Sequence, residues 1–283
     1  MLFDILKAIL FGFVEGICEW LPISSTGHLI LLEGIVPLGI SENVELNLQF
    51  RSMFDVVIQL GAILAVVILY FKRLNPIKRE NLPLWKNLII TTLPAAIIGI
   101  CADNVCERLL GVDLDTLLFV PQIVAAALII YGIIFILVEK LGRGSNEINR
   151  TLSTREALAI GFFQALAIIP GTSRSGATII GARILGLSRQ SAAEFSFFAA
   201  VPAILGASAI KLLDFGKFVA ENNVTLSRNA LLILAIAFIT AFLISLIAIK
   251  ILLGFIHKHS FIPFGIYRII LGITVLLTLK KGL

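Results

Sequence analysis

Apolar runs close to the thickness of a bilayer's hydrocarbon core recur along this chain, and they restrict its fold more than any other feature. Val56–Phe71, Leu88–Cys101, Leu117–Val138, Ala230–Phe255 and Phe261–Leu279 approach the roughly 20 apolar residues that a helix needs to cross that core. Only 14% of the 283 residues are charged and 58% are hydrophobic, whereas a soluble domain carries about a quarter charged residues. The sequence therefore predicts an all-α polytopic membrane protein, with residues 1–283 forming a single integral membrane domain.

The formal net charge of +5 reads as topology rather than as nucleic-acid binding, because Lys and Arg gather in connections between apolar runs. Lys72, Arg73, Lys78, Arg79 and Lys86 share one connection, opposed only by Glu80, which places that loop on the cytoplasmic side. The N-terminus lacks a basic stretch ahead of a cleavable apolar segment and is interrupted by Glu15 and Glu19, so it reads as retained. Cys18, Cys101 and Cys106 lie in or beside apolar segments and read as small packing residues rather than a disulfide framework.

Two polar patches interrupt the apolar pattern, and they align. Shifted by 149 positions, GFVEGICEWLPISSTG (Gly12–Gly27) lies over GFFQALAIIPGTSRSG (Gly161–Gly176), matching Gly12 to Gly161, Ser24 to Ser173 and Gly27 to Gly176. Further on, FDVVIQLGAILAVV (Phe54–Val67) resembles FSFFAAVPAILGAS (Phe195–Ser208) at a shift of 141. These matches predict two repeats, about 1–138 and 157–283, joined by the Gly-, Ser- and Asn-containing connection of about 139–156. Each repeat reads as a helix, a polar turn, a short second helix and a full span. Irregular backbone at membrane depth is tolerated where it is buried in protein or lines a wet cavity. The expectation is two inverted repeats, each with a re-entrant helix pair, whose polar turns meet in one site.

The residue types in those turns point to phosphoryl chemistry. Glu15 and Glu19 are spaced i, i+4 and share a helix face. Two carboxylates so close call for a proton or a hard divalent cation, Mg2+ or Ca2+, between them, unless they are structural ion pairs. Ser24, Ser25 and Thr26 follow Pro22, and Gly27 permits a tight turn into the next helix. Hydroxyls and N–H groups at a helix start suit an anion, although one serine suffices for simple capping. In PGTSRSGAT (Pro170–Thr178), Arg174 lies between Ser173 and Ser175, with Gly171 and Gly176 around them. A guanidinium fork in such a setting holds phosphate oxygens, the bland alternative being an arginine that snorkels to the interface. Together the two patches argue for metal-assisted chemistry on a phosphorylated lipid. An inverted-repeat transporter or flippase for a phosphate-bearing substrate stays open on the same features. A phosphatidate phosphatase of the integral-membrane type needs two histidines among Lys, Arg and Asp, and His257 and His259 lack that setting.

EGICEWLPISSTGH (Glu15–His28) and PGTSRSGAT resemble the two signatures of the undecaprenyl-pyrophosphate phosphatase family linked to bacitracin resistance. FDVVIQLGAILAVV, EFSFFAAVPAIL and SFIPFGIYRI resemble further family segments in the expected order. The resemblance implies hydrolysis of undecaprenyl pyrophosphate to undecaprenyl phosphate and inorganic phosphate, which recycles the carrier lipid of cell-wall glycan synthesis. It implies that Glu15 and Glu19 bind the metal or move a proton, and that Ser25 matches the serine proposed as nucleophile, with His28 activating it or orienting a water; the residues themselves leave attack by serine, histidine or water open. Arg174 would bind phosphate, with Ser173 and Thr178 as supporting donors; the residue types alone add Ser24, Thr26, Gly27, Ser175 and Gly176 as phosphate-binding candidates. It further implies a multi-pass protein of the bacterial inner (plasma) membrane with the site facing outward, and leaves a homodimer open. The main departure is ISENVELNLQFRSM ahead of Phe54, which is expected to enlarge a surface loop.

Overall fold

A computed structural model describes residues 2–41, 43–142 and 152–279, so the middle half of the expected connection at 139–156, residues 143–151, lies outside the described residues. Those residues fold as helices: α1 (Leu2–Cys18), α2 (Ser25–Ile35), α3 (Val44–Leu69), α4 (Phe71–Leu74), α5 (Leu82–Leu110), α6 (Leu114–Leu118) and α7 (Pro121–Leu141), then α8 (Thr154–Ala165), α9 (Arg174–Ile184), α10 (Arg189–Glu221), α11 (Arg228–Lys258) and α12 (Ile262–Leu279). Five are long and apolar enough to cross a membrane: α3, α5 with the single turn before it, α7, α10 and α11. The chain is a multi-pass membrane protein. Of these, α10 escaped the survey of apolar runs, because Arg189, Glu194, Lys211 and Asp214 interrupt it while its 33 residues remain one helix.

Local chemistry sets the helix starts. Asn43, Ser153, Ser188 and Ser227 cap α3, α8, α10 and α11 by accepting from backbone N–H groups one turn on, and Glu156 closes a capping box with Ser153. The cap at Asn43 has a consequence for the segment expected to be a loop: residues 44–53 form the first turns of α3 instead.

Two helices are too short to span. α2 and α9 have 11 residues each, about 16 Å at 1.5 Å per residue, against roughly 30 Å of hydrocarbon. The 149-residue offset that aligns the two polar patches carries both ends of α2 onto both ends of α9. The 141-residue offset carries Pro121, the start of α7, onto Ile262, the start of α12.

Packing follows the same correspondence. α1 lies along α11, and its counterpart α8 lies along α5; α1 packs on α2 as α8 packs on α9. α3 packs against α10, and α7 against α12. Close approach is sequence-encoded: a Cβ at Gly12 would strike the carbonyl oxygen of Ala237, and one at Gly161 would lie 2.6 Å from that of Thr91. Buried side chains gather in two clusters, one holding Trp20, Phe197, Phe198 and Phe261 and the other Phe11, Phe50, Phe54 and Phe215. The two irregular turns, residues 19–24 and 169–173, come together within the helices.

Candidate active site

The α1–α2 turn and the α8–α9 turn end in the same device. Ser24 and Ser173 are the helix N-caps, their Oγ atoms accepting from Gly27 N at 3.2 Å and Gly176 N at 3.1 Å. Both serines lie in the left-handed region, with φ of 74° and 71°. N-caps ordinarily adopt extended backbone, and a left-handed side-chain-bearing residue costs roughly 1–2 kcal/mol, so the surroundings must hold these turns in place. The tight turn expected at Gly27 is corrected accordingly. Gly27 and Gly176 are helical, and the unusual backbone falls on Ser24 and Ser173.

Glu19 is where the two patches meet. Its Oε2 accepts from Ser25 Oγ at 2.8 Å, and its Oε1 accepts from Arg174 Nη2 at 2.7 Å. Ser25 and Arg174 are the first residues of α2 and α9, so equivalent helix starts grip one carboxylate from two sides. Arg174 Nη1 donates to the carbonyl of Ser196 at 2.7 Å, and its Nε lacks a partner. This arginine turns inward rather than snorkelling. One turn before Glu19, Glu15 is fully buried with both carboxylate oxygens unpartnered. Its counterpart is the neutral Gln164, whose Nε2 donates to the Thr91 carbonyl. The acidic pair therefore belongs to one half and the site arginine to the other.

The remaining expected residues divide between facing the turns and supporting them. Ser175 Oγ bridges from Ser173 Oγ at 3.1 Å to the Leu21 carbonyl at 3.3 Å, another tie between the turns. Thr178 Oγ1 is engaged by Ser196 Oγ at 2.6 Å and by the carbonyls of Arg174 and Ser175, so it braces α9 rather than pointing at a ligand. Thr26 is partly exposed. His28 Nδ1 lies 2.7 Å from the Ser24 carbonyl and Nε2 lies 2.6 Å from Tyr267 Oη. The partner of Ser25 is thus Glu19, while His28 engages the backbone of the turn and a tyrosine.

The contact that the sequence reading missed is Arg268. It is fully buried and donates from Nη1 to the Pro22 carbonyl at 3.1 Å and from Nη2 to Gly171 and Thr172 at 2.7 and 2.9 Å. One guanidinium thus ties both polar turns to α12. An ionisable residue inside an apolar span is a functional signal in its own right, and SFIPFGIYRI contained one; nothing local indicated which turns it would reach.

Two carboxylates suit a divalent cation only in part. Among the described residues, no three His, Cys, Asp or Glu side chains gather to form a protein-only metal cage. A pair is what Mg2+ uses when substrate phosphates and water complete its coordination, and the unpartnered oxygens of Glu15 fit that arrangement.

The family described as bacitracin resistance protein BacA matches residues 8–274 of this chain. The undecaprenyl-diphosphatase of Desulfitobacterium hafniense is 47% identical over 289 residues, covering 98% of this chain and 96% of that protein. Those of Enterococcus faecalis, 46% identical, and of Clostridioides difficile, 45% identical, each cover 97% of this chain and 96% of their own length. With residues 8–274 matched by the family and relatives 45–47% identical over nearly its whole length, the chain belongs to the bacitracin resistance protein BacA family.

Proposed function

We propose that the protein is an integral membrane lipid pyrophosphatase that hydrolyses undecaprenyl pyrophosphate to undecaprenyl phosphate and inorganic phosphate. The observation that carries this reading is the single carboxylate, Glu19, held by the Ser25 hydroxyl on one side and the Arg174 guanidinium on the other. Near-full-length relatives named undecaprenyl-diphosphatase supply the substrate class.

The chain's own groups divide the reaction as follows. Arg174 binds the terminal phosphate through its guanidinium. Ser25 Oγ attacks the terminal phosphorus as its proton passes to Glu19, and the anhydride P–O bond breaks. Glu19 delivers that proton to the departing lipid monophosphate. Water then opens the phosphoserine, and its proton returns through Glu19 to Ser25 as inorganic phosphate leaves. Glu15 and Glu19 are the groups that would hold Mg2+ or Ca2+, which would supply charge neutralisation for the phosphates when bound. His28 is the orienting group of the Ser24 turn.

The halves are inverted repeats about an axis in the membrane plane, with α1–α2 and α8–α9 as re-entrant pairs. Three observations support this reading: the matched bounds of α2 and α9, their insufficient length to span, and the packing of α3 on α10 and of α7 on α12, as expected of elements beside a two-fold axis. The protein sits in the bacterial inner membrane, with the site opening outward, away from the basic loop at Lys72–Lys86.

Phosphate release from undecaprenyl pyrophosphate by purified protein, with Mg2+ or Ca2+ and after chelation, tests the reading. Glu19→Gln keeps the volume and removes the charge, and turnover is expected to fall by about 10²–10⁴. Near wild-type release by that variant would overturn the assignment.

A further inference from the structure

Tyr267 precedes the arginine that ties the two turns, and its hydroxyl lies 2.6 Å from His28 Nε2. The two rings are parallel within 2°. The other ring nitrogen, Nδ1, lies 2.7 Å from the Ser24 carbonyl, and a carbonyl only accepts. Nδ1 therefore carries a proton, and in the neutral imidazole Nε2 accepts and Tyr267 is the donor. In a histidine the bond at one nitrogen decides the state of the other. Ser24 is one of the two left-handed caps, and the next residue is Ser25, which donates to Glu19 at 2.8 Å. A continuous line of contacts thus runs from α12 to the hydroxyl that the proposed reaction uses. Arg268, bonded to Pro22 on the same turn, holds Tyr267's stretch of α12 against it.

We propose that Tyr267 is a positioning residue for the reaction: its hydroxyl holds the His28 ring in the orientation in which Nδ1–H meets the Ser24 carbonyl, and that bond sets Ser25 against Glu19. This inference rests on the proposed hydrolysis but assigns Tyr267 a role of its own. It acts through His28. Its loss should slow the chemical step while leaving substrate capture by Arg174 in place.

The test combines kinetics with a direct reading of the ring. Tyr267→Phe should lower kcat by roughly ten- to a hundredfold, the usual effect of removing an orienting partner of a functional histidine, with KM nearly unchanged. His28→Ala should match that loss, and the double variant should be no worse than His28→Ala alone. Tyr70→Phe makes the same chemical change in a tyrosine packed against Phe198 and should retain wild-type turnover. In detergent-solubilised protein labelled with 15N-histidine, the His28 ring should show the Nδ1–H form in the wild type and lose that single form in Tyr267→Phe. This arm reads the pairing whatever the substrate. Wild-type kcat in Tyr267→Phe, additive losses in the double variant, or an unchanged ring spectrum would each overturn the proposal. Wild-type protein that releases no phosphate would instead overturn the hydrolase reading.

Discussion

At the scale of single residues, the site is organised by side chains that bind backbone. Arg268 donates to three carbonyls on two turns, and the ring of Tyr131 lies 5.9 Å below its guanidinium. A lysine at this position keeps the charge but presents its donors from one point, so it cannot span the fork's two directions. Arg268→Lys should therefore fold and lose about a hundredfold in turnover, because misplacing reacting groups by about 1 Å costs that much. Arg268→Met removes every donor and leaves buried carbonyls unpaired, about 1–3 kcal/mol for each group. It should melt lower as well as lose activity. Phosphate release and thermal melting in detergent separate the two outcomes; an Arg268→Lys protein of wild-type activity would remove Arg268 from the site.

Elements approach one another where the sequence has no side chain to keep them apart. A Cβ at Gly132 in α7 would stand 2.7 Å from the Gly265 carbonyl oxygen, and one at Gly265 in α12 would stand 2.7 Å from that of Gly132. Without a hydrophobic drive between helices in lipid, such close contact supplies much of the packing attraction. Gly265→Ala should force α7 and α12 apart, costing about 1–3 kcal/mol of stability, and should disturb the turns held by the neighbouring Tyr267 and Arg268. Gly254 in α11 has open space around it, so Gly254→Ala should be neutral or stabilising by up to about 1 kcal/mol through helix propensity alone. Melting temperatures of the two variants should move in opposite directions or differ clearly; equal shifts would refute the role given to close packing.

Across the whole molecule, each short site helix is secured by ion pairs near its far end. Glu33 of α2 is paired with Arg51 of α3, which also donates to Asp55 at 3.0 Å. Arg183 of α9 lies 3.6 Å from Glu139 of α7, which is also paired with Arg189 of α10. The charge signs are exchanged between the two halves, yet the ends of α2 and α9 are held alike. Orientation can be tested with single cysteines in a background lacking Cys18, Cys101 and Cys106. A cysteine at the partly exposed Thr26 should react with an impermeant thiol reagent on intact cells, and one at the exposed Lys78 should react only in inverted vesicles. The reverse pattern would place the site on the cytoplasmic side and overturn the outward assignment while leaving the chemistry intact.

Much was legible along the chain because a bilayer imposes its requirement locally. Each span must be apolar for about 20 residues, so the multi-pass helical fold could be read from composition and run length. Polar residues are costly at membrane depth, so Glu15, Glu19 and the serine-rich turns stood out. The matched bounds of α2 and α9 followed an offset already visible in the residues. What the line of residues could not carry was partnership across large separations. That Glu19 meets Arg174, that Arg268 reaches Pro22 and Gly171, and that Tyr267 faces His28 are consequences of how helices from both halves pack. The strained backbone of Ser24 and Ser173 was equally hidden, since serine ordinarily avoids the left-handed region and only surrounding contacts can hold it there. The bilayer made the spans readable residue by residue, whereas the site depended on the tertiary structure, because its partners are distant in sequence and adjacent only after packing.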